Sequence, residues 1–230
     1  MPPSIVAAIR RRTCLSTDSP STLKRASVRF RAEDTTPGPR FGWPVTTCAL
    51  IASNVAAWGA VAYVYGLSPI ASQNSELLLR VGAINGTLLG AGEWWRIVTS
   101  QFLHVHFAHL VFNMIALFTL GRMLEPEFGA ARLLAMYFCG GAVGQLASVL
   151  VAPALVGSGA SQAVMGLAGS AAVVLFRRPH ARTMRLIVLL VYVVIQIALD
   201  LFAVDYVKAG HVCGFIAGAV LGRVLLRSRA

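Results

Sequence analysis

The chain has 230 residues, 57% of them hydrophobic and 13% charged, with a mean hydropathy of +0.70. A soluble domain carries about 25% charged residues, so this composition excludes an ordinary soluble enzyme and points to a polytopic membrane protein. The formal net charge of +11 does not indicate nucleic-acid binding, because the basic residues collect at the ends of apolar segments, where membrane proteins carry their orientation signals.

Residues 1–43 stand apart. They are rich in Ser, Thr, Pro and Arg, include "IRRR" at Ile9–Arg12, and hold few acids: Asp18, Glu33 and Asp34. No apolar stretch suits a secretory signal, so this domain is expected to be a disordered basic tail or an organellar transit segment. The second domain, 44–230, contains six apolar segments near the roughly 20 residues that cross a bilayer: Val45–Leu67, Phe102–Gly121, Leu133–Val156, Gly159–Phe176, Leu186–Val204 and Ala209–Leu226. The fold class is therefore all-α, a six-span membrane bundle. Between the first two segments lies a long loop ending in "GEWWRIVTSQF", where Trp94 and Trp95 stand as interfacial anchors. The four cysteines are widely spaced and show no CxxC pair, so neither a disulfide framework nor a metal site is read from them.

The connecting arginines define one topology. Arg31 and Arg40, Arg122 and Arg132, Arg177 to Arg185, and Arg223 to Arg229 all fall on one side of a six-span chain. The positive-inside rule places that side, with both termini, inside. A bacterial inner membrane is expected, or a mitochondrial or plastid one if the tail is a transit segment.

Polar side chains at membrane depth are costly and mark functional sites by default. Segment two carries His104, His106, His109 and Asn113, segment four carries Ser161 and Gln162, and segment six carries His211 near its start. Even-numbered segments all enter from outside, so Ser161, His211, His109 and Asn113 are expected in one outer layer. His109 and Asn113, four apart, share a helical face, with His106 on a nearby strip.

This set suits acyl transfer. A serine hydroxyl needs a base, which a neutral His211 supplies. An oxyanion needs donors, which an Asn amide, an imidazole N–H and the Ser161 backbone N–H provide at a helix start. With no acid placed clearly beside His211, although Asp200 and Asp205 lie on its side, a Ser–His dyad is the simplest assignment. Gly214, Gly218 and Gly222 repeat every fourth residue after His211, a pattern that lets membrane helices approach closely. A metal site on His104, His106 and His109 is disfavoured, because no Cys or carboxylate converges on them.

At these residues the chain resembles the rhomboid family of intramembrane serine proteases, from about Trp43 to Arg223. The matching pieces are "WR" at Trp95–Arg96, "HLVFN" at His109–Asn113, "GRMLE" at Gly121–Glu125, "GAS" at Gly159–Ser161 and "HVCGFIAG" at His211–Gly218. The resemblance implies Ser161 as nucleophile, His211 as general base, and His109 and Asn113 as oxyanion donors. It further implies that Trp95–Arg96 braces the fold at the membrane surface and that a membrane protein's single transmembrane helix is the substrate. It calls for no cofactor and no nucleic-acid partner. Two positions depart from the family pattern: its GxSG reads "GASQ", with Gln162 after the serine, and its usual aromatic four residues on is Met165. A non-catalytic or weakly active membrane-protein binder of the same fold stays open as the alternative. A water-filled depression above Ser161 is expected, because hydrolysis requires water.

Overall fold

The structure is a computed structural model that describes residues 43–66, 74–177, 183–202 and 208–227; the basic segment up to residue 42 and Asp205 lie outside these. Nine α-helices are described: α1 (Val45–Val64), α2 (Ser75–Val81), α3 (Gly86–Gly90), α4 (Arg96–Thr99), α5 (Phe107–Phe128), α6 (Ala130–Val151), α7 (Ser161–Arg177), α8 (Thr183–Phe202) and α9 (Lys208–Arg227), with a 3-10 turn at Ser100–Phe102 after α4. Among the described residues there is no strand, only an isolated antiparallel bridge between Ile84 and Gly157. The helices α1, α5, α6 and α9 are long and apolar enough to cross a membrane; α7 and the Arg185–Ala198 stretch of α8 are shorter apolar helices. The lipid-facing surface carries exposed apolar side chains such as Tyr63, Leu150, Phe176 and Val194. Lipid leaves no partner for a bare backbone, so spans of this kind are helical throughout.

The centre of the bundle is the three-helix seam of α6, α7 and α9, which pack most extensively of all. The 13 buried residues of α7 lie on every side of the helix. Small residues make this possible: a Cβ on Gly140 would stand 2.8 Å from the Gly166 Cα, and one on Gly218 would strike the Gly166 carbonyl. Backbone-to-backbone contact of this kind holds membrane helices together where no hydrophobic effect can.

The described part of the connection between α1 and α5, from residue 74 on, is built of short helices. Asn74 Oδ1 accepts from Leu77 N at 2.7 Å to start α2, and Asn85 Oδ1 accepts from Leu88 N at 2.9 Å to start α3. Gly82, at φ +118°, ends α2 in the left-handed conformation. At the far end of the bundle, Glu125 of α5 accepts from Thr46 N, Thr47 N and Thr47 Oγ1 at 2.8, 2.9 and 2.7 Å, capping the first turn of α1.

One expectation is corrected here. The second span begins at Phe107, not Phe102, and runs on to Phe128. His104 and His106 therefore precede the helix instead of lying along its face. The reason is local: His106 is extended, and its Nδ1 accepts from His109 N at 3.0 Å, making it the N-cap. Hydropathy alone does not mark such a boundary.

Candidate active site

Ser161 is the first residue of α7, and the segment before it is held from several directions. Ile84 and Gly157 exchange both backbone hydrogen bonds, at 3.0 and 2.7 Å, and Gly159 N donates to Ser100 O at 2.9 Å. Ala160 N donates to His104 Nε2 at 3.4 Å. Gly159 sits at φ +121°, where an L side chain is strained, and a Cβ there would lie 2.8 Å from His109 Cε1. The chain thus turns sharply into the helix with the His109 ring against it, and only glycine meets both demands.

Arg96 secures the other side of this brace. It is 6% exposed, its Nη1 donates to the carbonyls of Leu79 and Ala83 at 2.6 and 2.7 Å, and its Nε donates to Glu93 at 2.8 Å. Its guanidinium also lies 4.5 Å from the ring centroid of Trp95. Arg96 so fixes Ala83, which adjoins Ile84, the residue paired with Gly157 before the serine. Trp94 and Trp95 are 61% and 51% exposed, as interfacial anchors would be.

His211 enters from α9, fifty residues away in the chain. Its Nε2 lies 2.8 Å from Ser161 Oγ. The same hydroxyl lies 3.2 Å from Gln162 Oε1, so the imidazole nitrogen is the nearer of its two polar neighbours. Gly214 and Gly210 permit this approach. A Cβ on Gly214 would stand 2.6 Å from the Gln162 carbonyl, and one on Gly210 would strike Ser148 Oγ.

His109 and Asn113 lie one turn apart near the start of α5, both buried. Asn113 Nδ2 donates to the His109 carbonyl at 3.1 Å; an amide nitrogen carries two protons, so a second donor remains. The His109 ring packs edge-on to that of His104, with centroids 5.2 Å apart. Met165 is buried one turn beyond Ser161. The described part of the chain contains no group of three His, Cys, Asp or Glu able to hold a metal ion.

Two features differ from expectation. Ser161 and His211 are 3% and 2% exposed, so the pair is covered and does not lie open to an aqueous depression. On the side of the imidazole opposite the serine α8 brings up Gln196, whose Nε2 is placed 3.3 Å from His211 Nδ1. From the sequence, Asp200 and Asp205 are named on this side and Gln196 is not singled out. A lone amide between Ile195 and Ile197 was the available signal. The end of α6 also contributes polar residues to this layer, Gln145 and Ser148, both buried.

A helical membrane bundle with a buried Ser–His hydrogen bond at one end is the arrangement the coordinates define. The rhomboid domain profile matches residues 91–228, and the chain belongs to the rhomboid family. It is similar to the rhomboid protease GluP of Bacillus subtilis, 33% identical over 64% of this chain and 29% of that protein. It is also similar to RHOMBOID-like protein 5 of Arabidopsis thaliana, 35% identical over 65% of this chain and 50% of that one. A third relative, the rhomboid protease AarA of Providencia stuartii, is 32% identical over 67% of this chain and 63% of its own length. The matched region spans less than two thirds of each of these three relatives. Membership and the apolar helices together make this an integral membrane protein.

Proposed function

We propose that this chain is an intramembrane serine endopeptidase that cleaves transmembrane segments with a Ser161–His211 dyad. The observation that carries the reading is the 2.8 Å separation of Ser161 Oγ and His211 Nε2, between residues on two helices and buried from solvent. As Oγ attacks the scissile carbonyl carbon, its proton passes to Nε2 and the carbonyl electron pair moves onto oxygen. The oxyanion is met by the Ser161 backbone N–H at the start of α7, by Asn113 Nδ2 and by His109. When the intermediate collapses, Nε2 returns its proton to the leaving nitrogen as the C–N bond breaks. Water then repeats the sequence on the acyl-enzyme. The substrate is a single-pass membrane protein whose helix must unwind locally to offer a peptide bond, since a hydrogen-bonded helix hides its carbonyls. The distribution of arginines favours both termini inside, with the dyad toward the outer face.

Gln162 supports a second reading, a weakly active or inactive membrane-protein binder, because its amide oxygen competes for the serine hydroxyl. One experiment separates the two. The purified protein in proteoliposomes is treated with a fluorophosphonate probe and, in parallel, with a panel of single-span substrates. Wild type should label and cleave, and Ser161→Ala should do neither while melting at nearly the same temperature. His211→Ala should be as inactive, and the double variant no worse, because residues acting as a unit are not additive. Cleavage by Ser161→Ala would end the assignment.

A further inference from the structure

We propose that Gln196 is the positioning residue of this site: its side-chain amide fixes the tautomer and orientation of His211, the place an acid occupies in a catalytic triad. The inference rests on the Ser161–His211 reading and extends it to a third helix.

The argument begins with one proton. For Ser161 Oγ–H to donate to His211 Nε2, that nitrogen must present a lone pair, so the neutral ring carries its proton on Nδ1. Nδ1–H is then a buried donor, and the group beside it, at 3.3 Å, is the Gln196 amide. The two ends of an amide are told apart only by the network around them. A donor at Nδ1 requires the acceptor end, so the amide is turned with Oε1 toward the imidazole and Nε2 away. Ser161 O–H, His211 and Gln196 then form one directed chain. When Nε2 takes the serine proton the ring becomes a cation, and a hydrogen bond from Nδ1–H to Oε1 strengthens. Its resting length of 3.3 Å is at the long end, as such bonds often are before substrate binds.

The setting supports the role. On α8 the buried residues Leu189, Tyr192 and Gln196 form one stripe, while Val194, Ile195 and Ile197 face outward. A primary amide buried in an apolar membrane helix is costly unless its hydrogen bonds are used. Tyr192, one turn earlier, stacks on Phe112 of α5 at 5.6 Å and seats this face of α8 against the bundle. A hydrogen bond from α8 restrains the imidazole on the side away from the serine.

The test compares Gln196→Met, close in shape but lacking the acceptor, with Gln196→Glu, which keeps an acceptor at the same reach. Each is assayed with a single-span substrate and a fluorophosphonate probe, and rates are referred to the folded fraction from size exclusion. Gln196→Met should lower kcat roughly 10-fold, the worth of one hydrogen bond, with KM unchanged. Gln196→Glu should restore kcat to within a few-fold of wild type. If Met misfolds, Gln196→Leu takes its place in the comparison. A wild-type kcat in folded Gln196→Met or Gln196→Leu overturns the proposal, and so do equal losses in the Met and Glu variants. Cleavage by Ser161→Ala in the same series would instead remove the dyad itself, a failure distinct from the loss of Gln196 alone.

Discussion

Adding one methyl group at Gly214 tests whether helix spacing sets the chemistry. In Gly214→Ala the new Cβ would stand 2.6 Å from the Gln162 carbonyl oxygen and 3.3 Å from that of Gly140. Ordinary C···O contact begins near ~3.3 Å, so the first contact is short by roughly 0.7 Å. Both obstacles are helix backbone, so no side chain can swing aside and the helices themselves must part. His211 lies three residues from Gly214 on α9, and Ser161 immediately precedes Gln162 on α7. The displacement therefore acts on the dyad directly, stretching its 2.8 Å separation to about 3.5 Å, the limit of a hydrogen bond. Overpacking should lower stability by about 1–3 kcal/mol. Turnover per folded molecule should fall by more than that implies, on the order of 100-fold, the usual effect of a misplacement near 1 Å. The control is Gly222→Ala, whose Cβ would stand 2.9 Å from the Ser170 Cα. It acts about 12 Å further along α9, so it should destabilise comparably while the folded fraction keeps its rate. Cleavage kinetics in proteoliposomes, alongside a melting curve, measure both quantities. A wild-type rate in folded Gly214→Ala, or an equal loss in Gly222→Ala, would refute the claim that this seam sets the Ser–His distance.

Asn113→Ala should lower kcat by roughly 100-fold with KM little changed, the signature of a donor used only in the transition state; a lower melting temperature with kcat intact would make Asn113 structural. Gln162→Ala removes one of two acceptors competing for a single proton, so the rate of fluorophosphonate labelling should rise, by about twofold at most; slower labelling of the folded variant would show that the amide assists the serine. Glu125→Ala deletes three hydrogen bonds at the start of α1, costing on the order of 2 kcal/mol. Its effect should appear as a lower melting temperature with cleavage per folded molecule unchanged, since the cap lies at the opposite end of α5 from His109.

Much of this protein is legible in one dimension because a bilayer is a severe solvent. It forces each span to be a helix of similar length and penalises every polar atom that is not used. The apolar helices, the Ser161 helix start, His211 near the start of α9 and the glycine repeat of α9 could all be read from apolar runs and the exceptions within them. Three features could not. The start of α5 depends on a hydrogen bond from His109 N to His106 Nδ1, so hydropathy extended the span over residues that belong to the connection. The burial of Arg96 depends on where the carbonyls of Leu79 and Ala83 end up, and composition does not encode that. The inward face of α8 is likewise set by packing: Gln196 comes to face His211 where α8 lies against α7 and α5. The local sequence determined which residues would be expensive to bury; only the tertiary arrangement, by bringing α7, α8 and α9 together at one end, decided which of them would share a proton.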